Sequence, residues 1–406
     1  MPFFDEIAYS LLLPFRSRNF RIFFLGQSIS LIGTWIHTTA QRWLVYELTN
    51  SAFVLGVLGG IGSLPILLFS LPAGYLADHL PKRNLLLVSQ SIAATQAGIL
   101  TFLVMTNQVE VWHVLALAFV LGCTVALEFP VRHSFIYELV GEEALVTALS
   151  LHSTAFNLAR FTGPAIAGFL MAHFGLGACF LANTLSYIPI ITALALIPLS
   201  SNHKKPVKKP WQGLKEGFSF ACKNRHIRRT LILIATTSIF VLPYAILLPV
   251  LVKENFGGGG KEFSALMAAN GLGTLCGALC MATFGRDLPK EKFIPVNLFI
   301  LSIFLGSMTL TTKFYLAFLL LILSGFHMVC MFTSANAHLQ LNSPDELRGR
   351  ILSLFSLSFL GLFPVGSFIA GTLAQYFGAK MVLLGGCIVA SLGAIFFGIL
   401  PAFRKK

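Results

Sequence analysis

Arg42, Glu128, Arg132 and Arg160 fall inside long apolar stretches of the chain, where ionisable side chains are rare. Such a group in a lipid-spanning helix costs about 2.5–3.5 kcal/mol even on a lenient insertion scale, so its presence calls for a reason. Glu128 and Arg132 are four residues apart, which puts them on one helix face and lets them pair. Desolvation favours a protonated acid and a neighbouring cation favours the carboxylate, so an acid caught between the two can switch. The pair therefore reads either as a static, neutralised contact or as a proton-coupling site that Arg160 joins from the next helix. His37 and Arg42 share the first apolar stretch. A cation facing a cavity attracts an anion; the alternative is that Arg42 pairs with Glu47 near the rim. The second half offers His327, Asn336, His338 and Gln340. His37, Arg42, His327 and Asn336 are thus the expected substrate contacts, and the excess of deep cations favours an anionic substrate.

Other chemistry finds no support. His113, His152 and His173 are lone residues on apolar helices and read as hydrogen-bonded packing residues. There is no His-x-x-x-His or His-Glu-x-x-His pairing and no Walker loop, so metal catalysis and ATP drive are not expected. The seven cysteines are scattered, mostly within apolar segments, and read as small buried hydrophobes. Cys276 and Cys280 share a helix face without flanking ligands. No metal, cofactor or enzymatic activity is expected.

The elements that position these residues follow from composition. The chain has 406 residues, of which 56% are hydrophobic and 11% charged, with a mean hydropathy of +0.79. A soluble protein carries about 25% charged residues, so lipid must be the solvent for most of this chain. Apolar runs of about 20 residues recur without alternation and predict membrane-spanning helices. We read about twelve spans. They lie at residues 21–48, 51–77, 85–106, 111–139, 144–172, 178–199, 230–252, 263–284, 293–311, 314–341, 351–375 and 381–403. Asp5 and Glu6 occupy the place of a basic leader region, so no cleaved signal peptide is expected.

Orientation follows from the basic residues. With the N-terminus in the cytoplasm, the inner segments hold Arg16, Arg18, Arg21, Lys82, Arg83, Arg286, Lys290, Lys292, Arg348, Arg350 and Arg404 to Lys406. The outer loops hold only Lys253, Lys261, Lys313 and Lys380. This bias absorbs most of the net charge of +13, and nucleic-acid binding is not needed to explain it. The one long linker opens with Lys204-Lys205-Pro206-Val207-Lys208-Lys209-Pro210. Trp211, Leu214, Phe218, Ala221 and Cys222 then fall at helical spacing, which reads either as an amphipathic helix on the inner leaflet or as a solvated basic linker. The expected organisation is an N-terminal six-helix bundle at 1–202, the linker at 203–229 and a C-terminal six-helix bundle at 230–406.

The halves repeat each other. Leu149-Ser150-Leu151 aligns with Leu352-Ser353-Leu354, and the same ungapped offset pairs Gly163 with Gly366, Ile166-Ala167-Gly168 with Ile369-Ala370-Gly371, and Phe174-Gly175 with Phe377-Gly378. Such a parallel repeat places a substrate site between the halves near the midplane. Gly74-Tyr75-Leu76-Ala77-Asp78-His79-Leu80-Pro81-Lys82-Arg83 resembles the signature loop of the major facilitator superfamily, Gly-x-x-x-Asp-Arg-x-Gly-Arg-Lys, with His79 and Pro81 departing from it. Gly33-Thr34-Trp35, Trp43 to Thr49, Pro130-Val131-Arg132-His133-Ser134, Asn157-x-x-Arg160-x-x-Gly163-Pro164 and Pro344-Asp345-Glu346-Leu347-Arg348-Gly349-Arg350 narrow the resemblance. They are similar to the branch that includes the enterobactin exporter and the transmembrane secretion effectors.

The resemblance implies the all-α major facilitator fold of twelve transmembrane helices in two six-helix pseudo-repeated bundles. It implies a cytoplasmic gate of Asp78, Arg83 and Glu138 and a helix-bending motif at Gly163, Pro164 and Gly168, for which close packing is the plain alternative. The expected function is proton-coupled export of a small amphiphilic or anionic compound such as a siderophore. Multidrug export, lipid or lysolipid transport, and a non-transporting membrane sensor are the alternatives. The expected partners are that small molecule, protons and membrane lipids, for a monomer in a bacterial inner membrane with both termini cytoplasmic.

Overall fold

Helices and closed barrels are the two ways to satisfy a backbone in lipid, and every regular element among the described residues is helical. The computed structural model describes residues 12–198, 218–285 and 288–399. The helices are α1 (Arg18–Thr49), α2 (Ala52–His79), α3 (Lys82–Met105), α4 (Val111–Leu196), α5 (Arg225–Thr236), α6 (Tyr244–Phe256) and α7 (Gly260–Phe284). They continue with α8 (Lys290–Leu310), α9 (Phe314–Leu341), α10 (Asp345–Ser356), α11 (Phe363–Phe377) and α12 (Ala379–Ala394). Nine helical segments of the described residues are long and apolar enough to cross a membrane. α1 is not among them, because Gln27, Ser28, Ser30, Thr34, His37, Thr38 and Thr39 dilute the stretch between its charged ends. The basic run from Lys204 to Lys209, Trp211 and Leu214, together with Arg286, Asp287 and the last basic residues, lie outside the described residues.

The 86-residue α4 is three legs rather than one rod, because Gly141 (φ 72°) and Gly175 (φ 78°) leave helical geometry. Side chains other than hydrogen resist these positive φ values, which is why both breaks fall on glycine. The repeat read from sequence has a geometric counterpart here. Gly378, the partner of Gly175, has φ 80° and separates α11 from α12. Gly163 and Gly366 also match: a Cβ on Gly163 would sit 3.2 Å from the Ile32 carbonyl of α1, and one on Gly366 would sit 2.6 Å from the Ile239 carbonyl just beyond α5. Small residues let helices approach this closely where lipid supplies no hydrophobic drive between them.

The chain forms two compact units, Met1–Ala40 with Leu68–Pro206 and Gln41–Leu67 with Val207–Lys406. The first is built around Phe20, Phe23, Leu86, Val131, Phe135 and Ile190, with Phe23 and Phe135 edge to face at 5.2 Å. The second includes the end of α1 and the start of α2. There Trp43 stacks on Phe263 at 5.9 Å, Ser51 Oγ donates to Gln375 Oε1 at 3.0 Å, and Gly56 abuts Gly371. Five-residue π turns extend α5 (Thr237–Val241) and α10 (Leu357–Gly361).

Candidate functional site

In the first unit the first leg of α4 places Glu128 and Arg132 together, as their spacing requires. Arg132 Nη2 lies 3.1 Å from Glu128 Oε2, with the two side chains 13% and 11% exposed. The other carboxylate oxygen accepts from Gln90 Nε2 on α3. Ser30 Oγ on α1 donates in turn to Gln90 Oε1 at 3.5 Å. On the far side Arg132 Nη1 lies 3.3 Å from His152 Nε2, on the middle leg of α4. For Arg132 to donate there, that nitrogen must be the unprotonated one, so His152 is neutral in this arrangement. The result is a mostly buried string, Ser30–Gln90–Glu128–Arg132–His152, drawn from three helices. Both carboxylate oxygens are engaged, so protonating Glu128 would release Arg132 and require the string to rearrange. A buried pair broken at one end leaves an uncompensated charge costing about 3–5 kcal/mol, which makes the two partners move together.

Other expected residues land differently. Arg160 stands over the Trp35 indole with Cζ 5.6 Å from the ring centroid, a cation–π position. His37 was expected in a substrate cavity; it is instead fully enclosed in the first unit, its ring edge-on to Phe180 at 5.1 Å. Neither of its ring nitrogens has a hydrogen-bond partner among the described residues. A polar residue in an apolar helix signalled a cavity, but the face of α1 carrying His37 and Ala40 is an inner packing face. Gly163, Pro164 and Gly168 keep helical dihedrals, and Gly163 serves the contact with α1.

At the end of the unit where α3 begins, Glu138 pairs with Lys82 rather than with Arg83. Arg83 instead donates from Nε to the Leu194 carbonyl at 2.7 Å and from Nη2 to that of Ala195 at 3.2 Å. It thereby caps the last turn of α4, where free carbonyls favour a cation. The side chain of Asp78 lies outside the described ones.

In the second unit Arg42 Nη1 lies 4.0 Å from Met267 Sδ, and Glu47 accepts from the Trp43 indole at 2.7 Å. His327, also expected at the substrate cavity, is held by Asn297 (Nδ1 to Oδ1, 2.8 Å) between Phe304 and Phe326, in the packing of α8 on α9. Asn336 does line a cavity, of about 770 Å³, with Met281, Lys290, Phe332, Gln340, Phe355 and Phe359.

Sequence reasoning missed Gln90, Lys82 and the contact of His152 with Arg132. Gln90 carried a usable signal, being an amide buried in an apolar helix and subject to the same cost argument as a charge.

Comparison with known proteins adds a family to this geometry. Residues 9–405 match the profile of a family described as transmembrane secretion effectors. The staphyloferrin A transporter of Staphylococcus aureus is 30% identical over 373 residues, covering 88% of this chain and 90% of that protein. Macrolide efflux protein A of Streptococcus pyogenes is 23% identical, covering 93% and 95%. A bacterial homologue of the human lysosomal transporter Spinster, solved inward-facing and unoccupied, superposes with a TM-score of 0.75 at 14% identity, covering 95% of this chain and 96% of that one. The last likeness shows the fold alone; the family match and the 30% relative go further, and this chain belongs to the transmembrane secretion effector branch of the major facilitator superfamily of membrane transporters.

Proposed function

We propose that this transporter exports a small anionic amphiphile, a siderophore in the first instance, in exchange for protons. The observation that carries the reading is the Glu128–Arg132 pair with Gln90 on its second oxygen, a mostly buried carboxylate whose charge is balanced by one movable cation. In the outward-facing state Glu128 takes up a proton and frees Arg132; in the inward-facing state it gives the proton up and recaptures the guanidinium. The deep cations Arg42, Arg132 and Arg160 outnumber the deep acid Glu128, which favours an anion as cargo, and the naming of one relative as a staphyloferrin A transporter agrees.

Adding α1 and the two further legs of α4 to the nine membrane-long segments of the described residues supports a twelve-span reading, and the basic-loop bias supports cytoplasmic termini. Lys82–Glu138 then lies at the cytoplasmic face and acts as a gate contact. The protein works as a monomer.

Drug efflux is the second reading. The largely apolar cavity of the second unit and the macrolide efflux relative favour it. Proteoliposomes with an imposed pH gradient separate the two. The siderophore reading expects gradient-driven flux of a carboxylate chelator and little flux of a lipophilic cationic dye. Robust dye flux that survives Arg42→Ala, with no flux of any anion, defeats it.

A further inference from the structure

We propose that His152 is a second station for Arg132, a neutral acceptor onto which the guanidinium shifts when Glu128 takes up its proton. The proposal rests on the proton-coupling reading above and adds a positioning residue to it. Arg132 has two neighbours of different kinds. Its Nη2 lies 3.1 Å from Glu128 Oε2, and its Nη1 lies 3.3 Å from His152 Nε2. The third guanidinium nitrogen, Nε, has no hydrogen-bond partner among the described residues. The head group is therefore held at its two ends, and it can turn toward one partner without breaking a third bond.

The two partners belong to separate legs of α4. Glu128 and Arg132 are on the first leg, and His152 is on the middle leg, past the break at Gly141 (φ 72°). Gln90 already donates to Glu128 Oε1, so the incoming proton belongs on Oε2, the oxygen that faces Arg132. The carboxyl group then loses its charge, and a guanidinium whose side chain is only 13% exposed needs another acceptor. His152 Nε2 is within reach, at a distance that is long for a hydrogen bond from a cation and leaves room to shorten. One proton enters, on Glu128. Arg132 keeps its own and His152 stays neutral, so charge changes only at the carboxylate.

A neutral acceptor suits this task better than a second carboxylate. An acid in the place of His152 would hold Arg132 in both states, and Glu128 could not recapture it. An imidazole lone pair holds the cation while Glu128 is protonated and yields it when the carboxylate returns. Arg132 and His133, both on the first leg, are the charged and titratable groups that face His152 among the described residues, and His133 is exposed. A protonated His152 could not accept from Arg132, so the station works in the neutral form alone. The shift also carries the state of Glu128 onto the middle leg, where Arg160 stands over Trp35 about two turns further along.

Solid-state nitrogen NMR of the histidine-labelled transporter in lipid bilayers tests the station, with the His152 signals assigned as those missing from His152→Gln. In the wild type at neutral pH His152 should be a neutral imidazole with its proton on Nδ1. In Glu128→Gln, which mimics the protonated acid, its Nε2 resonance should move upfield as Arg132 closes on it. An unmoved resonance overturns the proposal, and this measurement stays decisive where His152→Leu fails to fold. Transport gives the second readout. His152→Leu removes the acceptor, so Glu128 should need more acid before it lets Arg132 go. The pH midpoint of substrate-dependent proton entry should fall by about one unit, the size of a weakened hydrogen bond to a charged group. His152→Gln restores a neutral acceptor and should bring the midpoint back. An unchanged midpoint in His152→Leu, or a fall that His152→Gln does not reverse, also overturns the proposal. A shifted His152 resonance in a Glu128→Gln protein that still takes up protons with substrate keeps the station and sinks the coupling reading. An unshifted resonance in one that has lost proton entry does the reverse.

Discussion

Gly371 offers a way to hold one face of the transporter open. It lies on α11 against the start of α2, and a Cβ built on it sits 2.5 Å from Gly56 Cα and 2.9 Å from the Ala52 carbonyl oxygen. Carbon atoms rest at about 3.5–4.0 Å, so even a methyl group forces the two backbones apart by roughly 1 Å. Leucine adds three more carbons to the same space. Neither obstacle is a flexible side chain, so the overpacking cost of about 1–3 kcal/mol falls wholly on the closed contact. At 1.4 kcal/mol per decade, that shifts the balance toward the parted state by about 5- to 150-fold. The Phe53–Phe368 edge contact at 6.0 Å parts with it. The assay is labelling of Ser51→Cys by a membrane-impermeant maleimide on whole cells, with Cys222 and Cys276 replaced by serine. Adding Gly371→Leu should raise the labelling rate at least about fivefold, and Gly371→Ala should raise it less. An unchanged rate in folded, membrane-inserted Gly371→Leu refutes the reasoning that this contact closes the outer face.

Arg132→Ala should destabilise the transporter by about 3–5 kcal/mol by leaving the Glu128 carboxylate buried without its cation. Thermal unfolding in detergent should show that loss, and Glu128→Gln combined with Arg132→Met should recover most of it. Charge reversal at the Lys82–Glu138 contact should show coupling: Lys82→Glu and Glu138→Lys should each impair transport, and the double swap should restore part of it. The matching coupling energy is roughly 0.5–3 kcal/mol from a double-mutant cycle in stability, and a value of zero removes the gate role from this pair.

The fold was legible because lipid leaves few choices: unbroken apolar runs of spanning length must be helices, and the ungapped repeat pairs Gly175 with Gly378, which share a positive φ. The Glu128–Arg132 pair was legible for the same local reason, since an i,i+4 spacing fixes a shared face. What the sequence left dark is non-local. Nothing in the chain pairs Gln90 with Glu128, because they meet only when α3 packs on α4. Lys82 and Arg83 are one residue apart, a turn of about 100° on a helix, and that rotation sends one to Glu138 and the other to the last carbonyls of α4. His37 and His327 looked alike in apolar stretches, yet one is sealed in a bundle and the other is tied to Asn297, because which face of a helix meets a neighbour depends on tertiary packing.

Proton coupling through Glu128 is the central claim, and paired flux measurements on one variant test it most directly. Wild-type protein and Glu128→Gln are reconstituted in vesicles carrying a pH-sensitive dye, and proton entry is recorded together with export of a carboxylate chelator under an imposed gradient. Gln keeps the shape and the neutral charge of protonated Glu128 but cannot release a proton, so the variant should fold and bind substrate, show no substrate-dependent proton entry, and lose gradient-driven accumulation while retaining substrate exchange. Substrate-dependent proton entry at the wild-type rate in Glu128→Gln would contradict the account.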